Sequence, residues 1–176
     1  MDKLLRNLAD FTTLPLPALA HDDFEQLLNR ALNMIPKPLK AAASEWDTPP
    51  AEELRSLIAF MDVEFMARGL TNVITNALES ADPTVGVTIQ ATALKDRIHF
   101  SVSDNGCGIK PDDLALVFDP LFTTKNEHVG LGLTISQRII NDHDGSIEIE
   151  STVGEGTTVT MEIPREKRRP IRVRRL

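Results

Sequence analysis

The spacing of apolar residues predicts several helices. The strongest pattern covers residues 62–81, where apolar side chains recur every three or four positions and form one broad stripe. Residues 35–50 contain four prolines and predict a loop with room for one short strand, and residues 51–60 fit a helix or a strand equally well. Another helical pattern begins after His21. Helical patterns also cover residues 1–12, 111–117 and 130–141.

Alternation of apolar and polar residues predicts strands in the second half of the chain. Residues 85–93 and 97–103 alternate on either side of a short polar turn, which is the pattern of a β-hairpin, and two more strands are predicted at 146–151 and 157–163. The main helices carry an apolar stripe on one side only, so we expect them to form a single layer. The predicted fold class is therefore α+β, a two-layer α/β sandwich in which helices cover one face of a mixed, mostly antiparallel sheet.

Composition narrows the class of protein. The chain has 176 residues, of which 41% are hydrophobic and 26% charged, and this suits one globular domain. No apolar run approaches the roughly 20 residues that span a bilayer. We therefore expect a cytoplasmic location, and leave open that a longer parent protein is anchored in the inner membrane. The single cysteine, Cys107, excludes an internal disulfide and a cysteine-built zinc site.

Charge is unevenly distributed along the chain. Residues 165–175 hold seven of the 19 basic residues and one of the 26 acidic ones, so the remainder is strongly acidic. A basic tail can bind nucleic acid or an acidic partner, but a solvated terminus is the more common outcome. Because the body is acidic, we expect no nucleic-acid partner.

Two asparagines stand four residues apart on the strongest predicted helix. Asn72 and Asn76 therefore lie on one face, beside the apolar stripe. Asparagine is mildly unfavourable inside a helix, so the pair suggests a function. Taken alone, however, the pair is better explained as the polar edge of an amphipathic helix.

Three glycine motifs follow this helix along the chain. Residues 104–108 (Asp-x-Gly-x-Gly) come directly after a predicted strand, where an Asp can accept a hydrogen bond from an exocyclic amine. Residues 130–133 (Gly-Leu-Gly-Leu) open a predicted helix, whose free N–H groups favour phosphate. Residues 154–157 (Gly-x-Gly-Thr) precede the last strand. Each motif alone is also consistent with an ordinary turn or cap, and none is a Walker loop or a dinucleotide fingerprint.

The order and spacing of these four elements resemble the GHKL ATP-binding superfamily. That superfamily includes gyrase-type topoisomerases, ninety-kilodalton heat-shock chaperones, histidine kinases and mismatch-repair ATPases. The asparagines match its N box, and the glycine motifs match its G1, G2 and third glycine boxes. Residues 117–125 (Val-Phe-Asp-Pro-Leu-Phe-Thr-Thr-Lys) resemble the F box and short lid of sensor histidine kinases. The resemblance covers about residues 20–165 and implies the GHKL fold, with ATP and Mg²⁺ as ligands.

The resemblance also implies roles for single residues. Asp104 would accept the adenine amino group, Asn76 would ligate Mg²⁺ through its amide oxygen, and Lys125 would meet the terminal phosphates. The implied catalytic residues are Asn72, Asn76 and Lys125. The implied nucleotide-binding residues are Asn76, Asp104, Gly106, Gly108, Ile109, Phe118, Thr123, Thr124, Lys125, Gly130, Leu131, Gly132, Leu133 and Thr157.

The lid is the part in which this chain departs from the family pattern. Many relatives have a further glycine two residues before Gly130, where this chain has His128. Residues 119–130 are polar after Phe122, and we expect them to form a mobile lid over the nucleotide.

Asn72 distinguishes a kinase from a hydrolase. In the ATP-hydrolysing branches of the superfamily, the residue four before the Mg²⁺ asparagine is typically a glutamate that serves as general base. Water and serine hydroxyls need such a base, whereas a neutral imidazole attacks phosphorus through its own lone pair. An amide at position 72 therefore favours phosphoryl transfer to histidine. The alternative is a nucleotide-binding docking module with little or no turnover, and a hydrolase or serine kinase is disfavoured.

We expect the acceptor histidine to lie outside this chain. None of the four histidines lies in a His-Glu-x-x-Asn-Pro-like motif, and His21 comes closest. Residues 1–17 resemble the end of the second dimerisation helix in nitrogen-regulation-type sensor kinases. We therefore divide the chain into this end (1–17), the catalytic domain (18–165) and a basic tail (166–176). The expected partners are a dimerisation and phosphotransfer domain, in the same or a partner kinase, and the receiver domain of a response regulator.

Overall fold

The computed structural model describes residues 15–81, 84–125 and 128–166. The predicted helix at 1–12 and most of the basic tail lie outside the described residues. In chain order the elements are β1 (Ala20–Asp23), α1 (Phe24–Met34), α2 (Lys37–Lys40), β2 (Ala43–Asp47), α3 (Ala51–Ser56), β3 (Ile58–Met61), α4 (Val63–Leu78), β4 (Val85–Ala93), β5 (Arg97–Asp104), α5 (Pro111–Leu114), α6 (Gly132–Asp142), β6 (Ser146–Thr152) and β7 (Gly156–Pro164).

The main sheet has five strands in the order β2-β4-β5-β7-β6. β2 pairs with β4 in parallel, and the other three neighbouring pairs are antiparallel. The predicted mixed, mostly antiparallel sheet is confirmed. β1 and β3 form a separate two-stranded antiparallel sheet.

Helix α4 forms the centre of the helical layer. Its N-cap is Asp62, whose side chain accepts the backbone N–H groups of Glu64 and Phe65. Its apolar stripe is buried, and both α1 and α6 pack against it. Helix α1 is capped in the same way, because the Asp23 side chain accepts the N–H of Gln26.

The core lies between this helical layer and one face of the sheet. Alternate residues of the central strands are buried there, and Ile98, Phe100 and Val102 of β5 are at most 2% exposed. Their neighbours along β5 point to the opposite face, where the paired residues are mainly Ser, Thr and Glu. The two-layer sandwich with one covered face is confirmed.

Several predicted boundaries differ from the structure: the helix predicted at 111–117 ends at Leu114, and the loop predicted at 35–50 contains the short helix α2 as well as the strand β2. Helix α6 begins at Gly132 and not at Gly130, because Gly130 has φ +72°, outside the right-handed helical region. Residues 51–60, which fitted helix or strand, contain a short helix followed by a strand. None of the helices within the described ranges is long and apolar enough to cross a membrane.

Candidate nucleotide-binding site

Asn72 connects α4 to the beginning of α6. Its Nδ2 donates to the carbonyl oxygen of Gly132 over 3.2 Å. The same carbonyl accepts from Ser136 Oγ over 3.1 Å, and this hydroxyl also lies 2.9 Å from the carbonyl oxygen of Gly69. The N box and the G2 box are therefore in direct contact, although they are 60 residues apart in the chain.

Asn76 lies one helical turn further along α4 and is half-buried. Within the described residues, its side chain makes no hydrogen bond to the protein. An amide oxygen that is positioned by a rigid helix and free of protein donors is a suitable hard, neutral ligand for Mg²⁺. The residue type and its surroundings thus fit the implied magnesium site.

Asp104 ends β5 with a partly buried carboxylate. Burial raises its pKa, and this effect is opposed by hydrogen bonds from the Gly106 N–H, the Ser80 hydroxyl and the Thr157 N–H, and then by the charge of Lys125. The Gly106 N–H lies 2.8 Å from Oδ1. The ionised form of Asp104 is therefore incompletely compensated, which suits an acceptor for an amino group of a ligand.

Two glycines allow backbone segments to meet beside Asp104. Gly108 has φ +67°, and a Cβ there would lie 2.1 Å from the Thr152 carbonyl oxygen. Gly156 has φ +122°, and a Cβ there would lie 1.9 Å from the carbonyl oxygen of Asp104. The structure therefore gives both glycines a role in packing the G1 turn against the β6–β7 turn. The role of Gly108 in binding the nucleotide stays a prediction.

Ser151 contacts two predicted site residues but was not itself predicted from the sequence. Its hydroxyl accepts the N–H of Ile109 over 2.8 Å, donates to the carbonyl oxygen of Gly156 over 2.9 Å, and lies 2.9 Å from Thr157 Oγ1. It thus joins the G1 turn to the third glycine box. No local pattern signals this role, because it depends on the pairing of Ser151 with Thr157 across two strands.

The beginning of α6 leaves backbone donors without intrahelical partners. Gly132 and Leu133 stand in the first turn, where N–H groups have no carbonyl four residues earlier within the helix. The N-cap residue is Leu131, which is 3% exposed and gives no side-chain cap. The predicted phosphate contacts at Gly132 and Leu133 are consistent with this geometry, whereas Gly130 and Leu131 precede the helix.

The F box is fixed to α6 through its backbone. The carbonyl oxygen of Phe118 accepts Thr134 Oγ1 over 3.0 Å, and the N–H of Leu121 donates to the carbonyl oxygen of Gly130 over 2.9 Å. Further along, Thr123 bonds to Lys125 of its own segment, and Thr124 is exposed. Among the predicted site residues, Thr123 is thus joined to Lys125.

Lys125 is engaged by a carboxylate. Its Nζ donates to Glu79 Oε2 over 3.0 Å, and His128 Nε2 lies 3.5 Å from Glu79 Oε1. Glu79 is the C-cap residue of α4 and lies three residues after Asn76. Lys125, the predicted phosphate-binding lysine, therefore lies at the C-terminal end of α4, which also carries Asn76. Glu79 was not predicted from the sequence as a site residue. An acidic residue is unfavourable at a helix C-terminus, so its presence there indicates a role outside the helix.

Two clefts lie away from these residues. One of about 410 Å³ is bordered by Asp47, Glu53, His99 and Ser101. The other, of about 450 Å³, is bordered by Ile58, Lys95 and Arg165. Neither is lined by a predicted site residue.

Comparison with known proteins identifies the family. Residues 61–167 match the family described as histidine kinase-, DNA gyrase B-, and HSP90-like ATPase. The chain belongs to this ATPase family. The resemblance to the GHKL superfamily is thereby confirmed, and the matched segment of this ATPase domain contains all four motifs.

Similar proteins place the ATPase domain among sensor histidine kinases. It is 30% identical over 167 residues to the sensor histidine kinase ZraS of Salmonella typhi, covering 93% of this chain and 36% of ZraS. It resembles full-length ShkA in complex with AMPPNP at 25% identity and a TM-score of 0.72, covering 92% of this chain and 35% of ShkA. The chain thus spans about a third of the length of these proteins.

A further structure shows the same fold. Histidine kinase ThkA, in complex with the response regulator protein TrrA, matches with a TM-score of 0.76 at 20% identity, covering 95% of this chain and 48% of ThkA.

Proposed function

We propose that this chain is the ATP-binding catalytic domain of a two-component sensor kinase, which transfers the γ-phosphoryl group of ATP to a histidine on a separate dimerisation domain. The observation that carries the proposal is the hydrogen bond from Asn72 to the carbonyl oxygen of Gly132. A carboxylate at position 72 has no proton to donate to this carbonyl. The site is therefore built around an amide where a hydrolase would need a general base.

The nearest carboxylate on α4 does not replace that base. Glu79 lies three residues beyond Asn76, and its two oxygens are occupied by Lys125 and His128. Both oxygens thus already face partners in the segment after the F box. This favours a nucleophile that needs no base, such as neutral imidazole.

Each part of the site has a role in binding Mg²⁺-ATP. Asp104 would accept the adenine amino group, and the N–H groups of Gly132 and Leu133 would donate to the phosphates. Asn76 would hold Mg²⁺, which when bound neutralises charge on the triphosphate. Lys125 would donate to the terminal phosphate oxygens.

The work of the chain in the transfer step is alignment and charge stabilisation. A neutral imidazole nitrogen of the acceptor forms a bond to the γ-phosphorus while the bond to the bridging β–γ oxygen breaks, and ADP leaves with that oxygen. Fixed N–H groups and Lys125 stabilise the oxygens of the transferred group, and the partly buried Asp104 holds the adenine end of the nucleotide.

The partners follow from the same proposal. The dimerisation domain supplies the acceptor histidine, and a response regulator receives the phosphoryl group next, as the complex of ThkA with TrrA suggests. We place the chain in the cytoplasm.

The test is incubation with labelled ATP and Mg²⁺, together with a separately produced dimerisation domain of a related sensor kinase. We expect acid-labile, base-stable label on that domain, none on this chain, and very slow release of free phosphate. Asn76→Ala should abolish transfer and Asn72→Ala should weaken it, whereas Asn33→Ala on the exposed side of α1 should leave it unchanged. Self-labelling, or brisk hydrolysis without a phosphoprotein, would contradict the proposal.

A further inference from the structure

Glu79 occupies a position where the helix itself disfavours a negative charge. It is the C-cap residue of α4, and the last turn of that helix contains no basic residue. The partial negative charge of a helix C-terminus repels a carboxylate. The local helix therefore gives no reason for a glutamate at this position.

The partners of Glu79 lie in the lid and not on its own helix. Its two oxygens face the ammonium of Lys125 at 3.0 Å and the imidazole of His128 at 3.5 Å. The Glu79 side chain is 22% exposed and both partners are 36% exposed, so the pairs are partly shielded from water. The ion pair between Glu79 and Lys125 is therefore stronger than one between fully exposed side chains.

We propose that Glu79 sets the affinity for nucleotide by competing with the phosphates of ATP for Lys125. This inference rests on the proposed function, in which Lys125 donates to the terminal phosphates. The carboxylate accepts a hydrogen bond from Lys125 Nζ over 3.0 Å and neutralises its charge. A lysine held in this pair is less available to a triphosphate, so Glu79 lowers ATP affinity and favours release of ADP. Glu79 is thus a positioning residue that acts through Lys125.

The test is calorimetric titration of the full chain with ATP in the presence of Mg²⁺. Glu79→Gln keeps the size of the side chain, removes the charge, and relieves the unfavourable interaction with the helix dipole, so the variant should fold. We expect it to bind ATP about three- to tenfold more tightly than the unsubstituted chain. The gain should shrink as salt is raised. Glu52→Gln removes the same charge from the exposed surface of α3 and should leave the affinity unchanged.

A double-mutant cycle shows whether the effect passes through Lys125. In a Lys125→Met background, Glu79→Gln should change ATP affinity by less than about twofold. Equal or weaker binding by Glu79→Gln alone, or the full gain in the Lys125→Met background, would overturn this inference while leaving the proposed function intact. Failure of the unsubstituted chain to bind ATP would overturn both.

Discussion

The two ends of helix α4 use polar residues in opposite ways. At the N-terminal end, Asp62 Oδ2 accepts the N–H of Ala18 over 2.7 Å, and the Asp62 N–H donates to His143 Nε2 over 3.0 Å. His143 Nδ1 lies 2.7 Å from the carbonyl oxygen of Ile139. Every one of these groups has a protein partner, and both side chains are largely buried. This end is satisfied by the protein alone.

At the C-terminal end, polar groups remain available to a ligand. Asn76 has no side-chain hydrogen bond within the described residues, and Asp104 is partly buried without full compensation of its charge. Glu79 and Lys125 are paired but accessible. Matched polar groups stabilise a fold, whereas incompletely matched ones leave free energy to be gained on binding. From this contrast we propose that one end of α4 serves stability and the other end serves ligand binding.

Substitution at the N-terminal end should affect stability most. His143→Ala removes a buried side chain and leaves the Asp62 N–H without its acceptor. We expect a loss of about 2–4 kcal/mol in the free energy of unfolding, measured by urea denaturation. His128→Ala at the opposite end should change this free energy by less than about 0.5 kcal/mol. ATP affinity should change little in folded His143→Ala.

The pH dependence of stability gives a second readout of the same substitution. Burial lowers the pKa of His143, with opposing contributions from the Ile139 carbonyl and nearby acidic residues. Below about pH 6.5, the His143 side chain therefore binds a proton more readily in the unfolded chain than in the folded chain. As a result, the unsubstituted protein loses stability as pH falls through this range. The difference in the free energy of unfolding between the unsubstituted chain and His143→Ala should therefore become smaller as pH falls. A constant gap would show that His143 is not held neutral.

Substitution of Asp104 should weaken ATP binding. Asp104→Asn replaces a charged acceptor for the adenine amine by an amide that can present its NH₂ group. We expect a loss of about 1.5–3 kcal/mol, or about one to two decades of affinity, by calorimetry. Unchanged affinity would remove Asp104 from the site.

The same substitution should not destabilise the free protein. Because the folded pKa of Asp104 is raised, its favourable contribution is present below the unfolded Asp pKa of about 3.9 and is lost as pH rises through the folded value. At neutral pH the ionised carboxylate therefore carries a cost that Asn lacks. At pH 7, Asp104→Asn should be at least as stable to unfolding as the unsubstituted chain. At acid pH, the unsubstituted chain should gain stability relative to Asp104→Asn.

Sequence patterns predicted the parts of the site that depend on local structure. The apolar stripe placed α4, the hairpin placed Asp104 at a strand end, and the glycine motifs marked the turns that pack on it. The contacts that the patterns did not predict are long-range. His143 meets Asp62 across 81 residues, Lys125 meets Glu79 across 46, and Ser151 joins two turns only because two strands pair in a particular register. Such contacts follow from packing and not from periodicity.

Calorimetric titration of Asn76→Ala decides whether the C-terminal end of α4 binds Mg²⁺-ATP. With Mg²⁺ present, we predict that this variant binds ATP at least about tenfold more weakly than the unsubstituted chain, because it loses the amide ligand of the ion. Without Mg²⁺ the two should bind ATP similarly, and their urea denaturation curves should nearly coincide, since the Asn76 side chain makes no hydrogen bond within the described residues. Equal affinity of the two proteins in Mg²⁺ would contradict the assignment of this end of α4 to the ligand.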